Sequence, residues 1–79
     1  MKRSTPLSRN IGAKVKYYRE LRELTQKELA ARLQTVDCDL TESMVGQIEI
    51  GYRATSVFEI DKLAEVLGVD YNALFAQDE

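Results

Sequence analysis

Histidine and tryptophan are absent from this chain, and cysteine and proline occur once each. Structural zinc sites need several cysteine and histidine ligands, so Cys38 alone cannot form one, and a single cysteine cannot form an intramolecular disulfide. Without histidine, the chain also lacks the commonest catalytic base. The chain has no nucleophile paired with a base, no phosphate-binding glycine loop and no cluster of metal ligands. These absences predict a protein that is not an enzyme and that needs no cofactor.

Long hydrophobic runs are missing as well. No apolar stretch approaches the ~20 residues that a helix needs to span a bilayer. The first ten residues, MKRSTPLSRN, lack the apolar segment of a secretory signal peptide. We therefore expect no membrane association and a cytoplasmic location.

The lone thiol has acidic neighbours rather than basic ones. Asp37 and Asp39 flank Cys38, and nearby carboxylates raise the pKa of a thiol, which makes it less reactive. A redox sensor needs the opposite environment. We interpret Cys38 as an incidental loop residue.

The length and composition fit one small globular domain. The chain has 79 residues, of which 44% are hydrophobic and 30% are charged. A domain of this size buries only ~60% of the surface that its unfolded chain exposes, so it would gain stability from dimerisation. The pattern along the chain predicts a flexible basic arm over residues 1–7, a folded domain over 8–76 and a short tail over 77–79.

Charge is divided unequally between the two halves of the chain. The whole chain has a net charge of −2, but residues 1–32 hold nine basic and three acidic side chains, a net of +6. Residues 33–79 hold two basic and ten acidic side chains, a net of −8. Such segregation suits a protein that binds a polyanion with one side, and it equally suits two subunits that attract each other.

Hydrophobic spacing predicts helices, and strand-like alternation is absent, so we expect an all-α fold. Ile11, Val15 and Tyr18 recur at helical spacing in a first helix from Ser8 to about Arg22. The segment from Thr25 to Glu28 has the pattern of a capping box and opens a second helix. A loop over residues 34–39 should follow.

Cap residues divide the second half of the chain into three more helices. Thr41 opens the third helix and Gly51 ends it. Ser56 to Glu59 is a second capping box, and Gly68 ends the fourth helix that it opens. Asp70 should cap a short fifth helix.

These segments together resemble the phage repressor and Cro-like helix-turn-helix regulators. The likeness covers residues 8–76 and rests on IGAKVKYYREL, LTQKELAARL, LTESMVGQIEIGYR and VFEIDKLAEVLGVDYNALF in this order. Each motif alone shows little more than the hydrophobic spacing of a core helix. All four motifs in this order are specific evidence for the family. The resemblance implies a compact five-helix lambda-repressor-like domain whose helices 2 and 3 form the helix-turn-helix.

Residue roles follow from the resemblance at matching positions. Gln26 matches the family glutamine that holds a DNA phosphate at a helix start, where free amides favour anions. Gln47 on the third helix is the best candidate for reading a base, since glutamine pairs bidentately with adenine. Glu42 either complements the helix dipole or accepts from a cytosine, and both readings stay open. The expected DNA-contacting set is Arg9, Gln26, Lys27, Thr41, Glu42, Ser43, Gln47, Tyr52 and Arg53.

Two structural roles are also implied by the family. Arg19 and Glu49 match positions that form an ion pair between the first and third helices. Val69, Tyr71 and Asn72 match a twofold face near the C-terminus. The resemblance thus implies a homodimer on a pseudo-palindromic double-stranded operator.

Three departures from the family pattern affect sequence preference more than fold. The third helix carries no lysine or arginine, so it cannot read guanine through a bidentate arginine. Gly46 lies inside this helix, where glycine costs ~1 kcal/mol relative to alanine. The turn before the helix is longer by about five residues, Thr35 to Asp39.

The expected function is a sequence-specific DNA-binding transcriptional regulator, acting as a repressor. The alternative is a helix-turn-helix module that binds a protein partner, as an antitoxin does, and the acidic second half of the chain favours it. Salt-dependent retention on random DNA separates the two, because phosphate contacts release counterions.

Overall fold

The computed structural model describes residues 6–76 and is all-helical there. Four α-helices follow one another: α1 (Pro6–Leu21), α2 (Gln26–Gln34), α3 (Glu42–Glu49) and α4 (Val57–Leu67). One 3₁₀ turn, Tyr71–Leu74, closes the described part. The predicted fold class is right, but four α-helices replace the predicted five.

The fifth segment differs because it is too short for an α-helical ladder. The amide of Ala73 donates to the carbonyl of Asp70 at 2.9 Å, which is the three-residue spacing of a 3₁₀ turn. The Asp70 side chain makes no capping hydrogen bond. Asp70 therefore lies at the predicted N-cap position, but without the capping bond, and the helix that follows is 3₁₀ and not α.

The first helix starts earlier than its hydrophobic pattern predicts. α1 begins at Pro6 instead of Ser8, so Pro6 and Leu7 are helical rather than part of an arm. Proline suits the first helical position because its fixed φ is helical and the missing N–H has no partner there. The rest of the predicted arm, residues 1–5, and the predicted tail, residues 77–79, lie outside the described residues.

The starts of α2, α3 and α4 are where the cap residues predict them, whereas α2 extends through Gln34, the first residue of the predicted loop. Thr25 and Glu28 form the reciprocal hydrogen bonds of a capping box, as do Ser56 and Glu59. The Thr41 side chain accepts from the amide of Met44 at the start of α3. Capping thus fixes where α2, α3 and α4 begin.

Glycines with positive φ angles end two of the helices. Gly51 has φ +79° just after α3, and the amide of Tyr52 donates back to the carbonyl of Gln47 at 2.9 Å. Gly68 has φ +72° at the end of α4. Glycine adopts this left-handed conformation without the steric penalty of other residues.

The core lies between the four helices and includes the long α2–α3 connection. Cys38 is only 1% exposed and Leu40 only 2%. Burial raises the pKa of the Cys38 thiol, and the negative charges of Glu59 and Asp39 raise it further. Cys38 is therefore a core residue, and its interpretation as an incidental loop residue was wrong. The expanded connection forms part of the core instead of protruding from it.

The helices α1 and α3 approach each other closely where they cross. Gly12 is buried there, and a Cβ atom at this position would overlap the carbonyl oxygens of Ile48 and Glu49. Glycine thus lets the end of α3 lie directly on α1.

None of the helices in residues 6–76 has both the length and the hydropathy needed to cross a membrane.

Candidate nucleic-acid interface

The two sides of α3 differ sharply in exposure. Val45, Ile48 and Glu49 are buried against the rest of the domain. The side chains at the start and along the outer face, Glu42, Ser43 and Gln47, are exposed. The helix is therefore anchored on one side and presents short polar groups on the other.

An ion pair anchors the C-terminal end of α3 to α1. Arg19 Nε donates to Glu49 Oε2 at 2.6 Å, and Nη2 donates to Oε1 at 3.1 Å. Arg19 Nη1 also donates to the carbonyl of Leu24 at 2.7 Å. The hydrogen bond from Glu49 raises the pKa of the Arg19 guanidinium above its ordinary value. The structure thus brings together the two residues that the sequence assigns to an ion pair.

Gln26 extends this network to the start of α2. Its amide nitrogen Nε2 donates to Glu49 Oε1 at 3.0 Å. The side chain also faces Gly46, where a Cβ atom would lie 3.6 Å from the Gln26 amide, an ordinary contact distance. The Gln26 amide is therefore held against α3, and its second N–H is a further donor at the start of α2.

Lys27 and Thr41 lie at the N-terminal ends of α2 and α3. Both residues are exposed. The Thr41 oxygen accepts the capping hydrogen bond from Met44, so its hydroxyl hydrogen is the group that could donate to a ligand. Because the free amides and the dipole at a helix start favour anions, these positions suit phosphate oxygens.

Arg53 lies in the connection after α3 and is tied to α3 and α4. Its backbone amide donates to the Gln47 carbonyl at 3.2 Å, and its Nη2 donates to Glu59 Oε2 at 3.0 Å. Arg53 also lines an open cleft of about 410 Å³ with Gln47, Tyr52 and Ala54. The cleft places a glutamine, a tyrosine and an arginine side by side at the exposed end of α3.

Arg9 reaches the same end of α3 from α1. Its backbone and Cγ pack on Gly51, where a Cβ atom would lie 2.6 Å from Arg9 Cγ. Arg9 is exposed. The structure therefore places a basic residue of α1 beside the connection that contains Tyr52 and Arg53.

This arrangement of helices and exposed polar groups matches a known family. The helix-turn-helix family model HTH_3 matches residues 15–74. The chain belongs to this Cro/C1-type family of DNA-binding transcriptional regulators. The phage repressor and Cro-like resemblance predicted from the sequence is thereby confirmed.

A solved structure with the same architecture is the restriction-modification controller protein C.AhdI from Aeromonas hydrophila. It is 31% identical to this chain, with a TM-score of 0.76, and the match covers 86% of this chain and 91% of that one. Among curated protein sequences, none matches this chain significantly.

The residues assigned to a dimer face are only partly available. Val69 and Tyr71 are half-buried against the core, and the rings of Tyr71 and Phe75 lie 5.2 Å apart. Asn72 is exposed. Within the described residues, the larger exposed apolar side chains lie elsewhere: Leu7, Tyr17, Leu21, Ile50, Tyr52, Val57 and Phe58.

Three structural contacts were missed from the sequence, two at the site and one at the end of α4. Gly12 permits the α1–α3 contact, but its only sequence signal is a glycine inside a helical pattern. Glu59 was recognised as a capping residue and not as the partner of Arg53. Arg22 donates to the Leu67 carbonyl at 2.8 Å and so holds the end of α4, a contact between residues 45 apart in sequence.

Proposed function

We propose that this protein binds double-stranded DNA sequence-specifically by inserting α3 into the major groove. The observation that carries the proposal is the division of α3 into two faces. Glu49 and Ile48 fix one face to the domain, while Ser43 and Gln47 stand exposed on the other. An α-helix fits the major groove, where glutamine and serine side chains can bond to base edges.

Contacts with the DNA backbone would come from residues around α3. Arg9, Gln26, Lys27, Tyr52 and Arg53 supply cationic groups or N–H and O–H donors at the two ends of the helix. Phosphate contacts fix the position of a protein on the duplex and carry most of the salt-dependent affinity. Glu42 remains either a dipole-complementing acid or a reader of cytosine.

We infer that the protein acts as a homodimer on a pseudo-palindromic operator. Asn72 is exposed beside the half-buried Val69 and Tyr71, so a twofold contact there would add apolar burial to a small core. Twofold symmetry would place the two α3 helices one turn of DNA apart, ~34 Å. A dimer seated on promoter DNA represses by excluding polymerase. The similarity to a restriction-modification controller supports a regulatory role.

Selection of bound duplexes from a random pool tests this function. We expect an enriched site with two related half-sites whose centres are one helical turn apart, bound by two protomers in sedimentation. Enrichment of no sequence would contradict sequence-specific binding. A single half-site occupied by one protomer would contradict the dimer.

A second candidate function is recognition of a protein partner, as by an antitoxin. The observation in its favour is an exposed apolar pair at the start of α4, with Val57 71% exposed and Phe58 52% exposed. Retention on random DNA that falls steeply with salt favours DNA binding. Retention that is absent at low salt would favour the protein partner.

A further inference from the structure

The contact between Arg53 and Glu59 bears on how a DNA-binding protein of net negative charge controls its affinity. Arg53 is the only basic residue between Arg32 and Lys62. Its guanidinium lies 3.0 Å from a Glu59 oxygen, with the two side chains 30% and 18% exposed. The Arg53 cation is therefore already paired with a carboxylate before DNA arrives.

Glu59 is itself held in place by the cap of α4. Its Oε1 accepts from the Ser56 amide at 3.0 Å, and the Ser56 Oγ accepts from the Glu59 amide at 3.1 Å. The remaining oxygen, Oε2, is the one that accepts from Arg53. Because both oxygens are occupied, the carboxylate is a fixed acceptor and does not follow the guanidinium if Arg53 moves.

Arg53 in turn has donors that Glu59 does not use. Among the described residues, its Nε is a buried donor without a hydrogen-bond partner. The guanidinium borders the cleft that also contains Gln47 and Tyr52. A buried donor without a partner is unfavourable, so a conformation that offers it an acceptor is favoured. A phosphate oxygen at the cleft is such an acceptor.

We propose that Glu59 is a positioning residue that competes with DNA phosphate for Arg53 and so limits binding to random sequence. The proposal rests on the proposed DNA-binding function. In the free protein Arg53 is bonded to Glu59. On DNA its guanidinium turns to a phosphate, and the Glu59 charge that stays behind reduces the net gain. The cost of breaking this pair falls on random DNA and on the operator alike, because both offer Arg53 the same phosphate oxygens.

The variant Glu59→Gln tests the proposal because it removes the charge and keeps the cap. Glutamine at this position of a capping box still accepts from the Ser56 amide. The matched control is Glu65→Gln, which removes the same charge from the same helix at a side chain paired with Lys62 instead of Arg53. Binding to a random duplex is measured over a range of salt for both variants.

We expect Glu59→Gln to bind random DNA about two- to fivefold more tightly than Glu65→Gln does, the factor that a partly exposed ion pair supplies. The operator should gain by a similar factor, because phosphate contacts do not depend on sequence. The slope of log affinity against log salt concentration should also change. Introducing Arg53→Ala into the wild-type protein should make this slope shallower by less than ~0.9, and introducing it into the Glu59→Gln variant should make it shallower by close to ~0.9. The proposal would be overturned if Glu59→Gln and Glu65→Gln bound random DNA equally well. It would also be overturned if Glu59→Gln still increased the affinity in a protein that carries Arg53→Ala.

Wild-type protein provides a second test that does not depend on the variant folding. The guanidinium ¹⁵N signals of Arg53 should shift as random duplex is added, while those of Arg19, which is bonded to Glu49, should stay in place. If the protein binds the duplex but the Arg53 signal is unchanged at saturation, the role of Glu59 is overturned and the DNA-binding function is not. Failure of the wild-type protein to bind any duplex at low salt would overturn the DNA-binding function as well.

Discussion

The hydrogen-bonded ion pair between α1 and α3 is buried, so the loss of Glu49 should destabilise the domain strongly. The Glu49 side chain is 2% exposed and that of Arg19 is 11% exposed. Glu49→Leu removes the carboxylate and leaves the guanidinium buried without its main partner. Loss of one member of a buried pair costs ~3–5 kcal/mol. Arg19 keeps the Leu24 carbonyl at 2.7 Å and has Glu20 at 3.9 Å, so we expect the lower value, about 3 kcal/mol.

Urea unfolding followed by circular dichroism measures this loss. For a domain of this size, about 3 kcal/mol corresponds to a fall in Tm of roughly 12–24 °C. Replacing both partners, Arg19→Met with Glu49→Leu, should restore much of the stability because no unpaired charge remains. Glu65→Leu is the control, since it breaks an exposed pair with Lys62 and should cost less than ~1 kcal/mol. A loss for Glu49→Leu no larger than the control would refute the reasoning, as would a double variant less stable than Glu49→Leu.

Further predictions concern packing, burial and pH. Gly12→Ala should destabilise the domain by ~1–3 kcal/mol or more, because its methyl group would overlap backbone oxygens of α3. Gly46→Ala should stabilise the domain by up to ~1 kcal/mol, because the new methyl group fits beside Gln26 at an ordinary contact distance. Urea unfolding measures both changes, and equal free energies of unfolding for the two alanine variants would contradict both predictions. Cys38 should react with a thiol reagent only as fast as the domain opens, since it is 1% exposed and burial raises its pKa; reaction at the rate of a free thiol would disprove this. The hydrogen bond from the Thr25 amide lowers the pKa of Glu28 below its ordinary value of 4.5. The folded pKa is the lower one, so the stabilisation is present above pH 4.5 and lost as pH falls through the folded value. The protection factors of the amides at the start of α2, which correct for the intrinsic pH dependence of exchange, should fall in that acidic range, and Glu28→Gln should remove this change.

The sequence predicts those features whose causes are local. Thr25, Thr41 and Ser56 mark the helix starts because each side chain bonds to an amide within three residues. The inward face of α1 follows from the helical spacing of Ile11 and Val15. Local chemistry of this kind is visible in any short window of the chain.

The features that the sequence does not predict depend on contacts between distant segments. Cys38 reads as a loop residue, yet it enters the core because the connection around it packs inward. Glu59 reads only as a cap, and its bond to Arg53 depends on how the α3–α4 connection folds back. The burial of Gly12 likewise requires knowledge of where α3 crosses α1. Asp70 lies at the start of a 3₁₀ turn without a capping bond from its side chain, which its position in the sequence does not reveal.

The central claim is that α3 reads DNA bases, and Gln47→Ala tests it most directly. Binding is measured on the selected site and on a random duplex at the same salt concentration. Gln34→Ala is the control, because it removes an exposed glutamine at the far end of α2. We predict that Gln47→Ala loses ~1–3 kcal/mol on the selected site and relaxes preference at one base position. Its affinity for random DNA, and both affinities of Gln34→Ala, should stay nearly unchanged. Equal losses on the selected and random duplexes would contradict base reading by Gln47 and, with it, the proposed role of α3.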